Sequence, residues 1–209
     1  MKIPKIKELT NTHLLMFAFV LTILNFIIRI WWPTGKNFSN LQFGYFPGYI
    51  VFFIAGVIAY ENNWFLNFND SMGMLWFKIS GVLILLLPVV MIFGGSVKDL
   101  SPFMGGICWQ SMVYSMWEAF TGTGLITGFF VIFRRKMDFQ NDITKFLSDN
   151  VYSAYIIHAL VIIFYAYALK DIYMHPLIKF VFVSVTGVSL CFLISHFLAR
   201  KIPYLKKIL

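Results

Sequence analysis

The sequence predicts an all-α protein, a polytopic transmembrane helix bundle of about six spans with both termini in the cytoplasm. Three observations predict it. Hydrophobic residues make up 59% of the 209-residue chain and charged residues only 12%, against roughly 25% charged in a soluble domain. The apolar residues form long continuous runs rather than the alternation of strands, and an open sheet edge is untenable in lipid. Most basic residues sit in short clusters beside those runs, where topology signals belong.

Crossing a bilayer as a helix takes about 20 mainly apolar residues. Six segments meet or approach that, and together they predict one transmembrane domain over residues 1–209. The first, 13–32, follows a basic stretch but is too long for a signal peptide and ends in Arg29, Ile30, Trp31 and Trp32 rather than a small-residue cleavage site. It is read as a retained span with an interfacial tryptophan pair, and Arg29 as a snorkelling anchor. The second, 43–60, opens on the turn-forming Gly44 and Pro47. The third, 74–93, contains Pro88, which removes one helix hydrogen bond and crowds the carbonyl of Ile84. The fourth, 103–133, is longer than one span needs, so its start around Gly105 and Gly106 can lie outside the bilayer. The fifth is 150–169 and the sixth 177–199.

Orientation follows from the connecting segments. With the N-terminus inside, segments 1–12, 61–73, 134–146 and 200–209 carry eleven Lys and Arg, among them Lys2, Lys5, Lys7, Arg134, Arg135, Lys136, Arg200, Lys201, Lys206 and Lys207. The outer loops carry three: Lys36, Lys98 and Lys170. That asymmetry places both termini in the cytoplasm. It also turns the net charge of +8 into topology signals and contacts with anionic membrane lipid, and excludes nucleic acid as a partner. Cys108 and Cys191 both fall in apolar runs and read as small apolar fillers. No Cys/His ligand spacing is present, so no metal site is expected.

Within this apolar chain a few side chains carry chemistry. Glu118 lies inside the fourth span, where an acid costs about 3 kcal/mol on insertion scales. A partner, a watery cavity or protonation must offset that. The bland reading is an interhelical strut; the functional one is a residue lining a polar substrate cavity. Thr121 and Gly122 follow one turn on, and Gly124 and Gly128 form a GxxxG pair that admits another helix closely. Tyr152, Tyr155 and His158 recur every third residue and share one face of the fifth span. His158 is either a general base near neutrality or a neutral imidazole bonded to a neighbouring helix. Ser148, Asp149 and Asn150 are expected to cap the start of that span, with Asn150 also available to a hydroxylated ligand. His13 and His196 are read as solvated interfacial residues. No phosphate loop or metal-binding histidine pair is present.

Three stretches carry a family resemblance: LQFGYFPGYIVFFIAGVIAYENNWF (Leu41–Phe65), SMWEAFTGTGLITGFFVIFRR (Ser111–Arg135) and FLSDNVYSAYIIHALVI (Phe146–Ile162). They resemble the later membrane helices of the acyltransferase 3 family, integral-membrane enzymes that transfer acyl groups, commonly acetyl or succinyl, to hydroxyls of sugars, polysaccharides and other acceptors. The resemblance implies catalytic roles for Glu118 and His158 and substrate contacts by Tyr152, Tyr155, Asn150, Arg134 and Arg135. The two arginines would meet the phosphates of an acyl-CoA donor, although a topology anchor explains them too. No metal is implied. Family members carry further N-terminal spans with a catalytic histidine near an arginine pair. His13 has no such setting and does not take that role.

The chain is therefore expected to be the C-terminal portion of such an enzyme, nearly inactive without a separate N-terminal half. Implied with it are a carbohydrate or glycan acceptor, O-acetylation and polysaccharide modification of the cell envelope, and a place in the bacterial plasma membrane. Two other functions remain open: a non-catalytic scaffold or glycan-binding subunit, in which Gly124 and Gly128 would serve association, and a small proton-coupled transporter built on Glu118.

Overall fold

The computed structural model describes residues 9–39, 41–137, 139 and 141–197. The terminal basic clusters, Lys2 to Lys7 and Arg200 to Lys207, and the end of the sixth span lie outside the described residues. Eight α-helices run in order: α1 Asn11–Trp31, α2 Phe46–Glu61, α3 Trp64–Asn67, α4 Asp70–Phe93, α5 Ser101–Met104, α6 Trp109–Lys136, α7 Asp142–Ala168 and α8 Pro176–Phe197. Six of them, all but α3 and α5, are long and apolar enough to cross a membrane. The chain divides into two compact units, residues 1–137 and 138–209.

In the first unit α6 is the central helix, with α4 on one side and α1 on another. The α4–α6 joint is made by absent side chains. A Cβ on Gly124 would strike the carbonyl oxygen of Trp76, one on Gly128 the side chain of Phe77, and one on Gly73 of α4 the side chain of Val131. Two backbones this close gain dispersion where lipid offers no hydrophobic drive. The GxxxG pair thus serves packing within the chain, not the association that a scaffold subunit would need. Trp117 Nε1 donates to the carbonyl of Leu83 at 2.9 Å, and α4 continues as helix through Pro88.

Three boundaries differ from expectation. α4 begins at Asp70, four residues early, because Asn69 accepts from the N–H groups of Ser71 and Met72 and caps the helix. The fourth span is not one helix: α5 ends at Met104, and α6 begins only at Trp109. Gly106 takes a φ of +95°, a left-handed conformation that glycine adopts without strain. This linker then closes the end of α1. Gly106 N–H donates to the carbonyl of Arg29 at 3.1 Å, and Thr34 N–H donates to Met104 at 2.7 Å.

In the second unit α7 and α8 form an antiparallel pair. The third difference lies here: Ser148, Asp149 and Asn150 do not cap α7. It starts at Asp142, where Asn141 accepts from Thr144 N–H at 2.8 Å and Thr144 Oγ1 accepts in return from Asn141 N–H at 2.8 Å. A reciprocal cap outweighs the polar sequence DITKFLSDN, which sequence reading leaves as loop. The joint with α8 is polar. Ser195 Oγ donates to the backbone and side-chain oxygens of Asn150, 3.2 Å each, and the hydroxyls of Tyr165 and Thr186 are bonded at 2.9 Å. His196 packs on Phe146, ring centres 5.0 Å apart, so it is a packing residue at this joint.

Candidate functional site

The first unit's apolar helices carry two polar stripes. Thr22, Asn25 and Arg29 follow one face of α1, and Ser111, Ser115 and Glu118 one face of α6; of these only Glu118 is not fully buried. The i, i+3/i+4, i+7 spacing aligns each stripe along its helix. The two meet at Arg29, which donates to Ser115 Oγ at 3.3 Å and forms an ion pair with Glu118 Oε2.

Arg29 is 0% exposed. Its guanidinium lies between two aromatic rings, 5.6 Å from the centre of Tyr45 and 5.4 Å from that of Tyr114. Each such contact contributes on the order of 1 kcal/mol when desolvated. Arg29 is therefore no snorkelling anchor: a counter-ion and two π-faces replace the water it would otherwise have to reach. Glu118 finds the partner that its cost demanded, but it is not sealed. Its side chain keeps 28% exposure, and it lies roughly 14 Å along α6 from the helix start, at 1.5 Å per residue.

Around the pair, several buried polar atoms have no hydrogen-bond partner among the described residues: Asn25 Oδ1, Arg29 Nε, Ser111 Oγ and Thr121 Oγ1. Thr121 belongs to the same helix as Glu118, as the sequence suggests. Tyr45 also lines a shallow concavity of about 350 Å³ with Leu41, Gln42, Phe46 and Tyr49. The chemistry here is that of a carboxylate held by an arginine, with hydroxyl and amide groups nearby and one aromatic wall.

The other sequence-predicted residues lie elsewhere. At the opposite end of α6, Arg134 and Arg135 both bind Asp70. Arg134 also donates to the carbonyls of Phe65 at 3.2 Å and Phe68 at 2.8 Å, so it clamps the α3–α4 turn onto α6. Arg135 keeps 62% of its side chain exposed. In the second unit Asn150 is buried on the α8 side, whereas Tyr152, Tyr155 and His158 are exposed on another face. His158 stacks on Tyr155 with ring centres 5.3 Å apart, and its Nδ1 is bonded to the Tyr155 carbonyl. A carbonyl only accepts, so Nδ1 is the donor in this bond. His13 takes part in a local cap instead, its Nδ1 accepting from Thr10 N–H at 3.2 Å.

Sequence reading missed Arg29, Tyr45 and Tyr114 as site residues. The Thr22–Asn25–Arg29 spacing on an otherwise apolar helix is the signal that would have found the first. Among the described residues no group of His, Cys, Asp and Glu is arranged to hold a metal ion.

The sequence profile of one family, described as an acyltransferase domain, matches residues 3–196. Comparisons with curated proteins and with solved structures returned no match. Since the profile covers most of a multi-pass helical chain, this protein belongs to the acyltransferase 3 family of membrane acyltransferases.

Proposed function

We propose that the chain is a membrane-embedded O-acyltransferase, or one part of it, moving an acyl group such as acetyl or succinyl from an acyl-CoA thioester to a hydroxyl of a sugar or polysaccharide. The family match supports acyl transfer in general. The buried Arg29–Glu118 pair is the observation that carries a polar reaction site inside the bundle.

In the reaction the acceptor oxygen attacks the thioester carbonyl, the C–S bond breaks, an ester forms and the thiol leaves with the proton. A base must take the acceptor proton and donors must hold the carbonyl oxygen as it gains charge. Glu118, partly exposed and fixed by Arg29, is suited to hold or deprotonate the acceptor hydroxyl. His158, on α7, is proposed as a further catalytic residue, with Tyr152 and Tyr155 beside it on that helix as hydroxyl contacts. Asn150 is committed to Ser195, which leaves little of it for substrate. Arg134 is committed likewise to the α3–α4 turn, so Arg135 is the stronger of the two proposed donor contacts. The proposed setting is a bacterial plasma membrane, with a glycan acceptor and a separate N-terminal half as partners.

The test is chemical analysis of envelope glycans from cells with and without the gene. Deletion is expected to remove an ester-linked acyl group, and Glu118→Gln, with the protein still present in the membrane, to lower it at least 100-fold. An unchanged ester content on deletion overturns the assignment.

A further inference from the structure

At the end of the first unit remote from Arg29, five residues of α4 line one open concavity of about 400 Å³: Asp70, Ser71, Met74, Leu75 and Lys78, joined by Arg135 from α6. Positions 71, 74, 75 and 78 follow the i, i+3, i+4, i+7 stripe of one helix face. Lys78 lies eight residues into a helix that carries no other charge for the rest of its length. A lysine so placed costs about 3 kcal/mol at mid-span and less when its stem reaches the interface. Among the described residues no carboxylate pairs with it: Asp70, the acid of the concavity, is engaged by Arg134 and Arg135. Lys78 and Arg135 against Asp70 leave an excess of one positive charge facing a cleft whose floor is the apolar Met74 and Leu75.

We propose that Lys78 and Arg135, with the Ser71 hydroxyl, bind a phosphate group, and that it is the headgroup phosphate of an anionic lipid. The two cations supply charge at the level where a span meets the headgroups. The apolar floor supplies the surface along which an acyl chain lies, which a free phosphate has no use for. The site needs neither Glu118 nor His158, and it shares Arg135 with the proposed donor contact.

The test uses the full chain in nanodiscs of phosphatidylcholine containing one-fifth phosphatidylglycerol, extracted into mild detergent, with the retained lipid counted by mass spectrometry. The native chain is expected to retain phosphatidylglycerol at least fivefold above its share in the disc. Lys78→Ala and Arg135→Gln each lower that enrichment about threefold or more, Lys78→Arg preserves it, and Lys36→Ala leaves it unchanged. Gel filtration and a melting curve on each variant separate lost binding from lost folding. Retention of the two lipids in disc proportion overturns the site, as does full enrichment in Lys78→Ala. Displacement of the lipid by 10 mM inorganic phosphate assigns the site to a soluble phosphate and overturns the lipid source.

Discussion

Arg29 and Glu118 stand 89 positions apart in the chain and form an ion pair within the apolar first unit. The pair joins the end of α1 to the first third of α6. Removing one member leaves the other charge buried without a partner, a loss of roughly 3–5 kcal/mol in comparable sites. Because Glu118→Ala strands Arg29, which is 0% exposed, it is expected near the upper end, about 5 kcal/mol. Arg29→Leu with Glu118→Leu together is expected to recover part of that. Denaturant unfolding in detergent measures both; a double variant no more stable than Glu118→Ala contradicts the pairing.

The glycine contacts of α6 separate two kinds of position. Gly124→Ala and Gly128→Ala place a methyl group against α4, and each is expected to destabilise by about 1–3 kcal/mol through overpacking. Gly56 and Gly81 are helical and meet nothing within 4 Å. Alanine there is expected to be neutral or stabilising by up to about 1 kcal/mol. Melting temperatures of the four single variants make the comparison; equal effects at all four contradict the tight α4–α6 approach.

The α7–α8 joint predicts a coupling. Asn150 is 1% and Ser195 0% exposed, so losing either strands a polar atom at about 1–3 kcal/mol. Asn150→Ala and Ser195→Ala are expected to be less than additive in a double-mutant cycle, with a coupling of about 0.5–1.5 kcal/mol. Full additivity would remove this hydrogen bond from the account of the second unit.

Orientation is open to chemical labelling. The charge asymmetry puts Lys98 outside and Lys145 inside, and both are exposed. In a background with Cys108 and Cys191 replaced by Ala, Lys98→Cys is expected to react with an impermeant maleimide on intact cells. Lys145→Cys is expected to react only after permeabilisation. The reverse pattern inverts the assigned topology.

The spans were legible because each is a run of apolar residues close to the length a bilayer imposes, a property of the chain that needs no partner. Gly124 and Gly128 were legible as a close approach for a similar reason: their spacing alone puts them on one helix face. Arg29 was not. Its place beside Trp31 and Trp32 looks the same whether the side chain climbs to the interface or turns inward, and only the position of Glu118 on another helix decides. Lys78 went unnoticed because a single cation does not end an apolar run. The start of α7 was misplaced because its first two turns are polar, and the reciprocal cap of Asn141 and Thr144 is what makes them helix. Asn150 looked like part of the same motif as Tyr152 and His158, but it is buried against Ser195 of α8 while both of them stay exposed.

Helix α2 contributes no buried residue of its own, yet it springs from Tyr45, whose ring roofs the Arg29 guanidinium. The frame of α1, α4 and α6 is fastened by the glycine seam, the ion pair and the linker at Gly106. Substitutions along the length of α2 should therefore spare the arginine, whose aromatic cover is carried just ahead of that helix, whereas a change at Tyr45 itself strips one face of the cation bare.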